Sequence, residues 1–217
     1  TFGRSKSVND GTSSVAYSNW KYNYSRDTNS ENELGFSKFD VPHRLMAQLS
    51  YTTPKYLNGW TSTTISVIYN GFSGSRYSLT MNEVSDFNGD GQKGNSLLYI
   101  PTEAEMDNMN FVDYTDQKTG KLIMSAADSR KAFTEWVNND DYAKNHRGQY
   151  AERNSNLSNW EHEIDLHLAQ TIYNAQGLGK LEFTFDIINF ANMLNKKWGA
   201  SYSSAYNLSP LTVVSLS

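Results

Sequence analysis

Four stretches of this chain alternate with a two-residue period. Strict alternation commits a segment to an extended strand whose successive side chains face opposite ways. The first stretch covers about 39–53, with Leu45, Ala47, Leu49 and Tyr51 on one face and Met46, Gln48 and Ser50 on the other. The second covers about 61–72 and sets Thr63, Ile65, Val67 and Tyr69 against Ser62, Thr64, Ser66 and Asn70. The third, about 160–173, sets Ile164, Leu166 and Leu168 against Glu163, Asp165 and His167. The fourth, about 180–190, sets Leu181, Phe183, Phe185 and Ile187 against Glu182, Thr184 and Asp186. Shorter strand candidates lie at 1–8 and 211–216.

The connections alternate in length. Short turns at 54–59 and 174–179 join the first strand to the second and the third to the fourth, with Gly available for positive φ. The other connections are long, at about 9–38, 73–159 and 192–210. Unstructured loops above about 12–15 residues are uncommon in compact domains. Short turns on one side and long loops on the other are the layout of an outer-membrane barrel, whose strands need only about ten tilted residues to cross the bilayer. Aromatic residues mark both strand ends: Tyr56, Trp60 and Tyr173 at the short turns, Tyr69, Phe72, Trp160 and Phe190 at the long loops. Such placement resembles interfacial girdles. A soluble β-sandwich also alternates, with its apolar face inward. The expected fold is all-β, an antiparallel transmembrane β-barrel segment with short periplasmic turns and long extracellular loops carrying short helices; the sandwich is the alternative.

Composition narrows the function. Nineteen basic against 23 acidic residues give a net charge of −4, which argues against a nucleic-acid binder. The absence of Cys excludes disulfides, thiolate zinc sites and cysteine nucleophiles. No apolar run approaches the ~20 residues of a membrane helix, which leaves spanning strands untouched. The chain opens on Thr1 without a leader and closes on a strand-like Leu211–Ser217, so residues 1–217 are expected to be a fragment of one barrel domain, its plug domain absent.

Within the longest loop, Thr102 with Glu105 forms a capping-box pattern. Ser125–Asp128 opens a second helix, on which Phe133, Trp136 and Val137 make one apolar stripe. The one motif with ligand chemistry is Asp86-Phe-Asn88-Gly-Asp90-Gly91-Gln92, the first half of a Ca²⁺ loop. Oxygens at loop positions 1, 3 and 5 converge on a cation, Gly at 6 turns the chain, and position 7 offers its carbonyl. Asp86, Asn88, Asp90 and Gln92 are therefore the candidate calcium ligands. Position 12, normally a bidentate Glu, is Leu97, so Glu83 or Asp107 must complete such a site. The alternative is an Asx-rich turn that binds nothing. Glu163, Asp165 and His167 share a strand face and read as a polar lumen wall. No G-x-S-x-G, phosphate-loop or dinucleotide fingerprint is present, and no enzyme is expected.

Several strings carry a resemblance. Phe39-Asp-Val-Pro-His-Arg-Leu45 resembles the strand starts of TonB-dependent receptors. Asp86 through Pro101 resembles the D-x-N-G-D-G…Y-I-P loop of their Bacteroidetes-type, Oar-like members, although Ser96 stands where Asp is common. Asn145-His-Arg-Gly-Gln-Tyr-Ala-Glu-Arg-Asn154 resembles the lead into a late strand, and Phe185 through Gly199 the D-x-x-N-x-x-N-L-L-N-x-x-W-G of the penultimate barrel region. The resemblance implies the C-terminal part of an outer-membrane receptor that imports a ligand, its long loops extracellular. It also implies partners: the rest of the barrel and its plug, the TonB complex through the missing N-terminal part, outer-membrane lipid, and a surface lipoprotein lid of the kind SusC-like relatives carry. The other class of function is a calcium-stiffened extracellular β-sandwich for binding or adhesion.

Overall fold

The computed structural model describes all residues except 12, 29–32, 117, 175–178, 201–206 and 214–217. In chain order the main elements are α1 (Ala16–Lys21), β1 (Arg44–Thr52), β2 (Thr61–Phe72), β3 (Arg76–Glu83), α2 (Glu103–Asn108), α3 (Ala126–Asn139), β4 (Glu161–Tyr173), β5 (Lys180–Ile187), α4 (Phe190–Leu194) and β6 (Asn207–Val213). The chain is mostly β, 40% strand against 17% helix, with antiparallel sheets. It divides into two compact units, residues 1–4, 41–74 and 158–203, and residues 5–40, 75–157 and 204–217.

The first unit is an antiparallel sheet in the order β5-β4-β2-β1. It is formed by the four stretches with two-residue alternation. Its register aligns their faces. Leu49, Val67, Leu166 and Ile187 occupy one cross-strand row, and Tyr51, Ile65, Leu168 and Phe185 another on the same face. The row between them, Ser50, Ser66, His167 and Asp186, lies on the opposite face. Parity alone forces this: a one-residue slip in any pairing would mix the two sets. Leu49 is 76% exposed and Phe185 61% exposed, so the apolar face is largely uncovered. Among the described residues of this unit, α4 and its following turn lie on it, where Val67, Leu166, Phe190, Ala191, Leu194 and Trp198 line a small apolar pocket. The β1–β2 turn closes through left-handed Leu57, Asn58 and Gly59 and a Tyr56–Thr61 bridge. Most of the β4–β5 turn expected at 174–179 lies outside the described residues. The sheet is open, with β1 and β5 at its edges; no closed barrel is formed among the described residues.

The second unit carries its own core: Leu79, Leu98, Ile100 and Val137 are fully buried, joined by Met106, Phe133, Ala143 and Ala151. The Phe133–Val137 stripe of α3 is buried there, with Trp136 packed against the cluster. Ser125 caps α3, and α2 begins with the complete Thr102–Glu105 capping box. Most of the 73–159 stretch, expected as a loop, belongs to this unit, and β3 is a strand outside the expected ones although its Tyr77, Leu79 and Met81 alternate with Arg76, Ser78, Thr80 and Asn82. Ser78, Leu79 and Thr80 are all fully buried. Of the expected strand at 211–216, residues 211–213 belong to β6, which pairs parallel with β3, and residue 214 onward lies outside the described residues. The β6 register slips between Leu208 and Leu211, where Pro210 has no N–H to give the ladder.

Candidate functional site

The second unit is assembled around buried polar anchors, among them Asp40, Arg153 and Asn154 of the quoted strings. Asp40 accepts from Arg76 Nε at 2.6 Å and from the Ser5 N–H at 2.8 Å. The Arg76 guanidinium lies 3.8 Å over the Phe36 ring and donates to Asn154 O at 3.1 Å. Asn154, left-handed at φ 54°, exchanges two hydrogen bonds with Ser78 Oγ. Arg153 donates to Asn23 Oδ1 and to Ser7 O. Burial pushes its pKa down, against the nearby charge of Asp10. Burial also raises Asp10, but the Lys38 N–H, the Ser37 and Ser7 hydroxyls and Arg153 outweigh it and hold the carboxyl below its usual value.

On this frame sits the candidate calcium loop. Asp86 spends both carboxylate oxygens on its own loop: Oδ1 accepts from the Gly89 and Asp90 N–H groups, Oδ2 from Gly91. Gly91, at position 6, has φ 85°, and a Cβ there would meet Tyr17 Oη at 2.8 Å, so the turn requires glycine. Asn88 and Asp90 are brought together inside: they are 3% and 1% exposed, and Asn88 Nδ2 donates to Asp90 Oδ2 at 3.0 Å. Gln92 donates its backbone N–H to Asp90 Oδ1 at 2.7 Å. Leu97 is buried in the interior rather than turned to the loop as a ligand. Sequence reasoning missed Asn95. Its Nδ2 reaches Asp90 Oδ2 at 2.5 Å and Lys21 O at 2.8 Å. Glu83, offered as a substitute ligand, does turn into the loop, accepting from the Gly94 N–H and Ser96 Oγ, both at 2.9 Å. Asp107 instead lies in α2 and pairs with Arg130 at 3.6 Å. Among the described residues no three carboxylate or imidazole groups stand together at metal-holding distance.

The polar face of the four-stranded sheet is the other cluster. His167 Nδ1 lies 2.5 Å from Asp186 Oδ1, and Ser50 Oγ donates to Ser66 Oγ at 2.8 Å. Asp186, His167 and Ser66 follow one another across the sheet in the order of an acid–base–nucleophile relay. A relay also needs a nucleophile bonded to its base and donors for an oxyanion. Ser66 is bonded to Ser50 instead, and this row lies within a paired sheet, so the cluster reads as a polar wall. Only strand register brings these four residues together, and no local motif signals them.

The strand ends carry organised aromatics. Phe2, His43, Trp160, His162 and Tyr69 form a continuous ladder at the long-loop end, with successive ring centroids 5.2, 6.0, 6.2 and 6.0 Å apart. Tyr69 Oη meets His162 Nδ1 at 2.7 Å and lies where a Cβ on Gly71 would stand, 2.4 Å away. At the other end, Tyr56 Oη bonds Thr63 Oγ1 at 2.7 Å and Lys55 Nζ lies 4.0 Å over the Tyr173 ring. Comparison with protein-family models, with curated proteins and with solved structures gives no match.

Proposed function

We propose that this chain is part of a TonB-dependent receptor of the bacterial outer membrane, which admits a ligand captured by its long extracellular loops. The observation that carries the reading is the register. It gathers the apolar residues of four strands on one exposed face and the carboxylates, His167 and hydroxyls on the other. An apolar face that wide is costly in water and at home against lipid. The polar face then lines the lumen, and the aromatic ladder and the Tyr56–Tyr173 end mark the two interfaces. On this reading the edges β1 and β5 continue into further barrel strands, a plug fills the lumen, the TonB complex supplies the energy, and a surface lipoprotein covers the mouth. The alternative β-sandwich needs a second sheet over the apolar face. Within this unit, the described residues place only α4 and its turn there.

The test is a pair of charge insertions in the full chain. Phe185→Arg places a cation on the apolar face at a depth where lipid exposure costs about 2–4 kcal/mol. Thr184→Arg places it on the polar face one residue away. Heat-modifiable gel mobility of outer-membrane fractions should show assembly lost for Phe185→Arg and kept for Thr184→Arg. A wild-type protein recovered from water without detergent would reject the receptor and favour the sandwich.

A further inference from the structure

We propose that residues 188–199, which hold α4 and its following turn, form an interfacial anchor that inserts into the bilayer surface and binds anionic, phosphate-bearing lipid headgroups through Lys196 and Lys197. The side chains here are arranged the reverse of a soluble loop. Ile188 is 75% exposed, Met193 65%, Leu194 63% and Trp198 55%. The asparagines between them are spent on the segment's own backbone. Asn189 Nδ2 donates to Gly199 O at 2.9 Å. Asn192 Nδ2 donates to Trp198 O at 2.9 Å and to Lys196 O at 3.3 Å. Asn195 Oδ1 accepts from the Lys197 N–H at 3.0 Å. The Asn189 N–H, given to Asp165 Oδ1 at 2.7 Å, ties the segment to β4. An unpaired backbone group is costly away from water. The asparagines pair the carbonyls of residues 196, 198 and 199 and leave the apolar side chains outside.

Position and charge select the occupant. α4 lies on the apolar sheet face, where Ile164 and Leu166 line the pocket beneath it. Ile164 is paired with Tyr69, the last ring of the aromatic ladder. The segment therefore extends the apolar face at the ladder end, the level at which aromatic belts and snorkelling lysines sit. Lys196 and Lys197 are exposed neighbours of Trp198, and neither forms an ion pair among the described residues. An apolar platform edged by two cations complements an anionic membrane surface, which favours partitioning by about fivefold for each lysine near it. A protein partner would be held by about one hydrogen bond per 100–200 Å². The amide donors of Asn189 and Asn192 are already used within the segment. The inference rests on the receptor reading for the sheet's place in a bilayer, and adds to it the class of lipid held at the long-loop end.

The test is tryptophan quenching in the purified full chain, reconstituted into vesicles of equal parts phosphatidylcholine and phosphatidylglycerol. One lipid at a time carries bromine near the headgroup end of its acyl chain. The difference between wild type and Trp198→Phe isolates Trp198 from the other tryptophans. Both brominated lipids should quench Trp198, the phosphatidylglycerol at least about twofold more strongly. In Lys196→Gln combined with Lys197→Gln that ratio should fall to one, while quenching by phosphatidylcholine stays. Membrane-inserted protein whose Trp198 neither lipid quenches overturns the anchor and leaves the receptor reading standing; cover by another protein or a second copy would give this result. A phosphatidylglycerol preference unchanged in the double lysine variant overturns the headgroup contact. If Trp198→Phe fails to assemble, the total quenching ratio of wild type against the double lysine variant decides. Protein recovered from water without detergent rejects the receptor reading. Added to the same vesicles, it keeps the anchor if Trp198 is then quenched with the same lysine-dependent preference, and overturns it if not.

Discussion

Asp40 and Arg76 show how one residue pair settles what a motif is for. Their side chains are 3% and 5% exposed and meet at 2.6 Å. The Asp-Val-Pro-His-Arg string thus begins with a buried anchor, and nothing in its spelling names the partner 36 residues on. Such a pair contributes little net stability, yet removing one member strands the other charge, at a cost of about 3–5 kcal/mol. Asp40→Ala should therefore lower the urea midpoint of the full chain sharply. Asp40→Leu combined with Arg76→Met should recover most of that loss, since no charge is left uncompensated. Equal loss in the single and double variants would show that packing on Phe36 outweighs the ion pair. Asn189 and Gly199 follow the same logic: a Cβ at Gly199 would lie 1.9 Å from Asn189 Oδ1, so the Asn…Trp-Gly string records a close approach between residues ten apart.

Among the elements, those whose signal is local were legible. Alternation marked β1, β2, β4 and β5 because each has one polar face, and the capping box marked α2 because its partners are three residues apart. β3 alternates as well, Tyr77, Leu79 and Met81 against Ser78 and Thr80, but lies inside a stretch whose length reads as a loop; of β6 the sequence marked 211–213, while its pairing partner more than a hundred residues away leaves no local signal. The α2 cap also makes a pH prediction. The Thr102 N–H, the Thr102 hydroxyl and the Tyr99 hydroxyl hold the Glu105 carboxyl below its ordinary value of 4.5. A lowered folded pKa means the stabilisation is complete above the unfolded value and fades as pH falls through the folded one. Amide protection factors across Glu103–Asn108, corrected for the intrinsic exchange rate at each pH, should accordingly fall on acidification below about pH 4.5 in the wild type. Glu105→Gln should remove that acid dependence, and Thr102→Ala should cost about 1 kcal/mol of helix protection at neutral pH. An unchanged acid response in Glu105→Gln would place the sensitivity elsewhere.

For the whole molecule the decisive feature is what the four-stranded sheet leaves unmatched. Its two faces were legible because parity is a property of each strand alone. Whether the sheet closes was not, because closure depends on what pairs with β1 and β5. In an edge strand, alternate N–H and C=O groups point away from the only neighbour. In lipid each such unpaired group costs several kcal/mol, so an open edge is not tolerated there. If the receptor reading holds, the protein extracted in detergent from outer membranes protects both sets of β1 and β5 amides as strongly as those of β2 and β4. The 217-residue chain made alone should then differ. It should depend on detergent, keep β2 and β4 protected by their mutual pairing, and exchange the outward amides of β1 and β5 far faster. Uniform protection of all four strands in water, without detergent, would mean that the apolar face and both edges are satisfied by the chain itself, and the membrane assignment would fall.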